Sequence, residues 1–361
     1  MNHAARVQTA RTLMRDRRLD AMLLSVGADL PYFTGYAGMP LERLTMFVLP
    51  VSGTATLIVP ELEAPRVVQK PDVFDIRPWA ETEDPVRVVA DLVSGARRIA
   101  IGDQTWSTFL LQLQKRLFQA VFVQASSLTA QLRMRKDAEE IDLLRRAGAA
   151  ADRVAVRLAD VRFSGKTERE LSRMIADMLL EEGHERVDFA IVGSGPNGAS
   201  PHHEPSDRLI GAGDAVVCDF GGVLGGYYSD TTRMFVVGDA SEGFAEPFEV
   251  LRRAQAAAID AVRPGVTAES IDAAARDVIA DAGYGEFFIH RTGHGIGLDV
   301  HEHPYIVEGN DTELVPGMVF SIEPGIYLPG RFGMRIEDIV AVTDDGVERL
   351  NRSLRDLVTV R

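Results

Sequence analysis

Apolar and polar positions alternate in short blocks through the first third of the chain. Asn2 to Arg18 carries apolar residues at helical spacing and predicts an amphipathic helix. Asp20 to Ser25 predicts a short apolar strand. Leu44 to Pro60 predicts a hairpin, with LTMFVLP and TATLIVP flanking Val51-Ser52-Gly53. Helical stretches around Glu61–Gln69 and Ser107–Phe118 alternate with strand-like Val73–Arg77, Arg98–Ile101 and Ala120–Val123. Such alternation predicts an α/β layer. No glycine-rich phosphate loop follows any of these strands, so nucleotide chemistry has no motif behind it.

The pattern changes near residues 125–137, which sets expected domains at 1–128 and 129–361. Lys136 to Val161 predicts a long helix with Ile141, Leu144, Gly148, Ala151, Val154 and Leu158 on one face. Thr167-Glu168-Arg169-Glu170 has the form of a capping box and opens a second helix that ends at Gly183. Strands are expected from Asp188 to Gly238. The same plan then recurs. Leu144–Ala151 resembles Leu251–Ala258, and Ser164–Thr167 resembles Pro264–Thr267, each followed by a helix ending in glycine, at Gly183 and Gly283. Order and spacing repeat together, which predicts an internal duplication and a pseudo-symmetric domain with a pocket between its halves.

Length and charge narrow the function. The 361 residues suggest two domains, and a 46% hydrophobic composition excludes wholesale disorder. The net charge of −14 repels nucleic-acid backbones and anionic membrane surfaces, and no run of Lys or Arg offsets it. No apolar run approaches the ~18 residues of a membrane span, and the arginine-rich N-terminus lacks the apolar core of a signal peptide. A cytoplasmic protein that binds neither nucleic acid nor membrane is expected. The single cysteine, Cys218, excludes an intrachain disulfide and reads as a small buried hydrophobe.

Six of the eight histidines lie between His202 and His303, among glycines and acids. In VVCDFGGVLGGYYSDTTR, a hairpin through the glycines would bring Asp219 and Asp230 onto facing strands. Two buried carboxylates so close need a compensating cation. His294 sits between two glycines, where backbone approaches a ligand closely, and His301 follows it in the same segment. Glu323 interrupts the hydrophobic run MVFSIEPGIYL, and Glu337 precedes Ile339–Val342. Buried Glu is rare unless paired or bound to metal. Four carboxylates and one imidazole favour hard or borderline divalent ions such as Mn²⁺, and suffice to bridge two ions ~3.5–4 Å apart.

The segments PHHEPSD, CDFGG, SDTTR, TGHGIGLDVHE, SIEPGIY and MRIED resemble those of the metallopeptidase group that contains prolidases and aminopeptidase P. The resemblance implies an N-terminal creatinase-like α/β domain and a C-terminal pita-bread domain with pseudo-two-fold duplication. It implies two divalent ions, Mn²⁺ favoured over Co²⁺ or Zn²⁺, held by Asp219, Asp230, His294, Glu323 and Glu337. Asp230 and Glu337 would bridge the ions. His202 would stabilise the oxyanion, and His301 would contact the substrate carbonyl. A metal-bridging hydroxide would attack the Xaa-Pro bond of dipeptides or short proline-containing peptides, with Glu323 moving the proton to the leaving nitrogen. Arg335 and Asp338 would orient Glu337, and Arg335 would also face substrate.

Family members are commonly homodimers, which makes Gly35–Arg43 a candidate gate. Some members restricted to dipeptides carry an arginine in the segment after GHG that holds the substrate's C-terminal carboxylate. Tyr305 stands there in this chain and is the expected substrate contact; a phenol can donate one hydrogen bond but cannot form the bidentate charged pair. Strict dipeptide selectivity is therefore not expected from that position, unless another arginine substitutes, such as Arg331 or one reaching in from the N-terminal domain of a partner subunit. A pita-bread enzyme acting on a non-peptide substrate, such as a lyase or a creatinase-like hydrolase, is the alternative. A non-catalytic pita-bread binding module is a weaker one.

Overall fold

A computed structural model describes residues 1–361, which divide into two units, Met1–Arg133 and Met134–Arg361. The N-terminal unit opens with α1 (His3–Asp16), whose Asn2 side chain caps it by accepting from the Ala5 amide. Strand β1 (Ala21–Ser25) is apolar at nearly every position and lies inside a six-stranded sheet. After α2 (Asp29–Thr34) come β2 (Met46–Pro50) and β3 (Thr56–Pro60), the expected hairpin. The remaining strands are β4 (Asp75–Trp79), β5 (Arg98–Ile101) and β6 (Val121–Gln124), and the sheet order is β4-β3-β2-β1-β5-β6. Helices α3 (Pro85–Leu92), α4 (Ser107–Arg116) and α5 (Ser126–Arg133) complete the unit.

The helix expected over Glu61–Gln69 is one 3₁₀ turn, Ala64–Arg66. Pro71 disfavours helical backbone at Lys70, and the β-branched pair Val67-Val68 resists helix, so too few residues remain for a second turn.

In the C-terminal unit, α6 (Ala138–Leu158) is capped by reciprocal Asp137–Glu140 bonds and buries Leu144, Gly148, Ala151, Val154 and Leu158. The box at Thr167 and Glu170 forms as expected and opens α7 (Glu168–Glu181). Strands β7 (Arg186–Ser194), β8 (Ala215–Leu224) and β9 (Tyr227–Val237) form a sheet that a late strand, Val358–Val360, joins at its edge. Helices α8 (Ala245–Ala261) and α9 (Ala268–Asp281) follow. A second sheet then uses β10 (Gly293–Gly295), β11 (Glu302–Ile306) and β12 (Val319–Ile322). Strands β13 (Gly325–Leu328) and β14 (Phe332–Arg335) form a separate hairpin. Strands β15 (Asp338–Val342) and β16 (Val347–Arg349) complete the second sheet, in the order β11-β10-β12-β15-β16.

The internal repeat is written into the backbone hydrogen bonds. Gly165 donates to Ile210 O, Ile210 to Lys166 O and Glu168 to Arg208 O; one repeat later, Gly265 donates to Leu314 O, Leu314 to Val266 O and Ala268 to Thr312 O. Isolated bridges Thr167–Leu209 and Thr267–Glu313 correspond in the same way. Gly183 and Gly283 both take positive φ after their helices, the left-handed geometry that glycine adopts without strain. At one fully buried position the copies differ in charge: Glu168 in the first is Ala268 in the second.

Candidate metal centre and cleft

The β8–β9 hairpin pairs Asp219 with Thr232 and Gly221 with Asp230. Asp219 and Asp230 are therefore diagonal neighbours on one face of the sheet, close enough for both carboxylates to meet a common ligand. Gly221 is required opposite Asp230, since a Cβ there would lie 2.1 Å from Ser229 O. In the other sheet, β10 carries His294. Gly293 lets that strand pass Ser321, whose carbonyl oxygen would sit 1.9 Å from an added Cβ. Glu323 follows β12 directly and Glu337 lies between β14 and β15. The two carboxylate pairs thus occupy related places in the two repeats.

A cleft of about 650 Å³ brings together His202, Asp219, Asp230, His294, His301, Glu323, Arg335 and Glu337. Asp219, Asp230, His294 and Glu337 are each at most 7% exposed. Ligand atoms of Asp230, His294 and Glu337 all lie within 4.8 Å of one another. His294 Nε2 lies 3.1 Å from Glu323 Oε1 and 3.7 Å from Asp230 Oδ2. Its Nδ1 is 3.1 Å from Gly295 O, a contact that turns Nε2 toward the carboxylates. Ser321 steadies both groups: its hydroxyl accepts from the His294 amide at 2.9 Å and donates to Glu323 at 3.1 Å.

Charge is unevenly compensated. Asp219 has the Arg335 guanidinium against it, and Glu323 has His294. Burial raises the Glu323 carboxyl, but the hydrogen bond and charge of His294 outweigh this and hold it at about 2. Glu337 has only a hydroxyl bond from Thr232, 2.8 Å, and no cation in ion-pair contact. Burial and the neighbouring carboxylates push Asp230 and Glu337 well above the usual carboxylate range. Asp219 Oδ1 and Glu337 Oε1 are buried without any hydrogen-bond partner. Buried carboxylate oxygens left bare around one space, with an imidazole beside them, fit a divalent cation better than any internal arrangement of the chain.

The remaining expected residues are placed as follows. Arg335 is almost completely buried; it pairs with Asp219, and donates to Thr232 Oγ1 at 3.1 Å and to Tyr327 OH at 2.9 Å. It reaches Glu337 only through Thr232. Asp338 turns away from the cleft and accepts from Arg233, Gln255 and Arg349. His301 stands at the cleft with its ring 4.0 Å from that of His294. Its surface is open, yet the cleft wall desolvates the imidazole, and with the nearby His294 charge this lowers it to about 4. Tyr305 pairs with His294 in the strand register but does not line the cleft; Arg291 does, with its guanidinium 4.3 Å over the Tyr305 ring. Arg331 stacks on Phe332 and bonds Glu242 O, away from the cleft. Cys218 is a fully buried core residue.

Sequence reasoning passed over His290 and Tyr327. His290 lines the cleft; its Nδ1 donates to Arg291 O at 2.7 Å and its Nε2 accepts from Tyr327 OH at 2.8 Å. Burial keeps this imidazole neutral by lowering its pKa. The signal was available, because His290 shares the segment HRTGH with His294.

No helix is long and apolar enough to cross a membrane. The profile of metallopeptidase family M24 matches residues 142–344, and that of the creatinase/prolidase N-terminal domain matches residues 6–135. The Xaa-Pro dipeptidase of Lactobacillus helveticus is 38% identical over 356 residues, 95% of this chain and 96% of that protein. The crystal structure of dipeptidase PepE from Mycobacterium ulcerans is similar at a TM-score of 0.93 and 46% identity, over 99% of this chain and 98% of that one. A prolidase structure from Thermococcus sibiricus matches at a TM-score of 0.95 and 38% identity, over the full length of both. With its buried donor set, its two sheets and this full-length similarity, the chain belongs to metallopeptidase family M24, a family that works with divalent metal ions, and carries a creatinase-type domain ahead of the catalytic one.

Proposed function

We propose that this protein hydrolyses the Xaa-Pro bond at the N-terminus of dipeptides or short peptides, using two divalent ions held by Asp219, Asp230, His294, Glu323 and Glu337. The observation that carries this reading is the uncompensated pair Asp230 and Glu337 beside Asp219, Glu323 and His294 in one cleft. The full-length relatives named for dipeptide and Xaa-Pro cleavage support it. Residues 129–361 are the proposed catalytic domain.

Bound divalent ions supply Lewis acidity, which polarises the scissile carbonyl and makes water a nucleophile near neutral pH. The chain's own groups do the rest. Glu323, which lines the cleft beside His294, accepts the proton of the attacking water and delivers it to the proline nitrogen as the bond breaks. His202, on the loop that Arg335 ties by its bond to Pro201 O, donates to the developing oxyanion. His301, neutral at physiological pH, donates to the substrate carbonyl. The carboxylates hold the substrate α-amine, which fixes cleavage after the first residue. Phe189, Ile191, Ile289 and Val300 offer apolar walls for the two side chains.

Mn²⁺ as the working metal, a homodimer and a cytoplasmic location belong to the same proposal; the first two are read by metal analysis and light scattering. The test of function offers Xaa-Pro and Xaa-Pro-Xaa peptides to metal-stripped protein resupplied with Mn²⁺, Co²⁺ or Zn²⁺. Cleavage under at least one metal supports the reading. Inertness toward every proline peptide, with turnover of a non-peptide C–N substrate, replaces it with the alternative.

A further inference from the structure

Two anchors hold the loop that carries His202, and only one of them touches the metal cluster. Residues 195–214 join β7 to β8, and the His202 ring is exposed within that connection. An exposed ring on a long connection keeps its place only if the backbone around it is fixed. The first anchor is Arg335, paired with Asp219, which donates to Pro201 O at 3.4 Å. The second is Glu168, in the first turn of α7 and fully buried. Its Oε1 accepts from the Ser194 amide at 2.8 Å and from the Ser194 hydroxyl at 2.7 Å. Its Oε2 accepts from the Ser206 hydroxyl at 2.6 Å and from His203 Nε2 at 2.8 Å. Asn197 Nδ2 lies 3.1 Å from both oxygens. One carboxylate therefore grips the segment at Ser194, at Asn197, at Ser206 and at the residue next to His202. An ionised carboxylate can only accept, so His203 Nε2 carries the proton. The His203 amide also donates to Ser200 O at 3.2 Å, closing a turn around Pro201 and His202.

Burying a carboxylate is costly, and the equivalent place in the second repeat is taken by Ala268. The fold does not require an acid there; the His202 loop does. The segment carrying His301 has an anchor of its own, Lys136 Nζ, 2.6 Å from the carboxylate of Glu302. At both places a buried charged group grips the residue that directly follows a cleft histidine. Resting on the peptide-hydrolysis reading above, we propose that Glu168 and His203 are positioning residues: their bond fixes the backbone at His202, so that its imidazole stands ready for the developing oxyanion. Neither lines the cleft, and both act through His202.

The test is a double-mutant cycle on the full-length protein, loaded with whichever of Mn²⁺, Co²⁺ or Zn²⁺ supports turnover of Ala-Pro or Ala-Pro-Ala. His203→Ala should lower kcat about tenfold with KM within about twofold, the pattern of a contact made only in the transition state. His203→Gln, whose amide can donate to the same oxygen, should restore kcat to within about threefold of the wild type. In a His202→Ala background, His203→Ala should cost less than about twofold, because nothing is left to position. Two readouts stand apart from turnover. Amide hydrogen exchange at residues 195–206 should quicken in His203→Ala, and calorimetric Mn²⁺ affinity should stay within about twofold. Should His203→Ala be recovered unfolded, Ser206→Ala removes another donor to the same oxygen and takes its place in the cycle, with the same pattern expected. Unchanged kcat, an equal loss with and without His202, or a loss matched by weaker metal binding overturns the positioning role alone. A wild type that cleaves no proline peptide overturns the peptide reading and this inference with it.

Discussion

Glu168 has a setting that no catalytic role accounts for. Its fully buried carboxylate accepts from the Ser194 amide and hydroxyl, from Asn197 Nδ2, from His203 Nε2 and from the Ser206 amide and hydroxyl. These donors bracket the loop that carries His202. Burial alone would raise the carboxyl; the bonds from Ser206, Ser194 and His203 reverse that and hold it at about 2. A folded-state value below the unfolded one, near ~4.3, gives stability that is present above pH ~4.3 and lost as pH falls toward 2. Glu168→Gln should cost about 1–3 kcal/mol at pH 7 by denaturant unfolding and show a shallower loss of stability below pH 4.5. A parallel decline in both proteins would contradict this account. At Glu323 the expectation is catalytic: Glu323→Gln should lower kcat by about 10²–10⁴-fold. At this scale the sequence made the carboxylates legible, because an acid that interrupts a hydrophobic strand is seldom buried without a partner or a metal. It did not show direction. Tyr305 lies in the right segment and opposite His294, but its ring sits against the Arg291 guanidinium and does not line the cleft, which spacing along the chain does not show.

At the scale of elements, the repeat makes a paired prediction. Thr167 caps α7 with its hydroxyl, whereas the equivalent Thr267 makes no side-chain cap on α9. Thr167→Ala should cost about 1 kcal/mol and Thr267→Ala clearly less, by chemical denaturation of the two variants side by side. Equal costs would mean that the cap contributes nothing here. A second prediction concerns β10. Alanine at Gly293 would drive its Cβ into Ser321 O, so Gly293→Ala should destabilise the protein by about 1–3 kcal/mol and weaken metal binding by displacing His294. The glycines flanking His294 were visible in the sequence, and so were the capping box and the Asp219–Asp230 hairpin, since each depends on local spacing. The short helices α2, α3 and α5 were not, because six to eight residues are too few to establish a period. At Glu61–Gln69 composition favours a helix, but Pro71 and the Val67-Val68 pair leave room for a single turn.

For the molecule as a whole, charge links metal to stability. Without a cation, Asp230 and Glu337 have raised pKa values. Stability tied to a raised carboxyl is present below its unfolded value and is lost as pH rises through the folded value. Metal-stripped protein should therefore weaken from pH 5 to pH 8, and the melting-temperature gain on adding Mn²⁺ should widen over the same range. Saturation at 100 times the Kd corresponds to about 2.7 kcal/mol. Metal binding should also release protons, seen as a buffer-dependent heat in calorimetry. The duplicated plan, foreseen from Leu144–Ala151 and Leu251–Ala258, brings the two carboxylate pairs into one cleft from separate sheets; sequence spacing suggested the copies but could not show their facing strands. The central claim is that Asp219, Asp230, His294, Glu323 and Glu337 grip a pair of cations. Anomalous diffraction from crystals grown with Mn²⁺ tests it most directly. Two peaks ~3.5–4 Å apart, bridged by Asp230 and Glu337, are the result expected. A cleft without anomalous density, or metal bound only elsewhere, would contradict it.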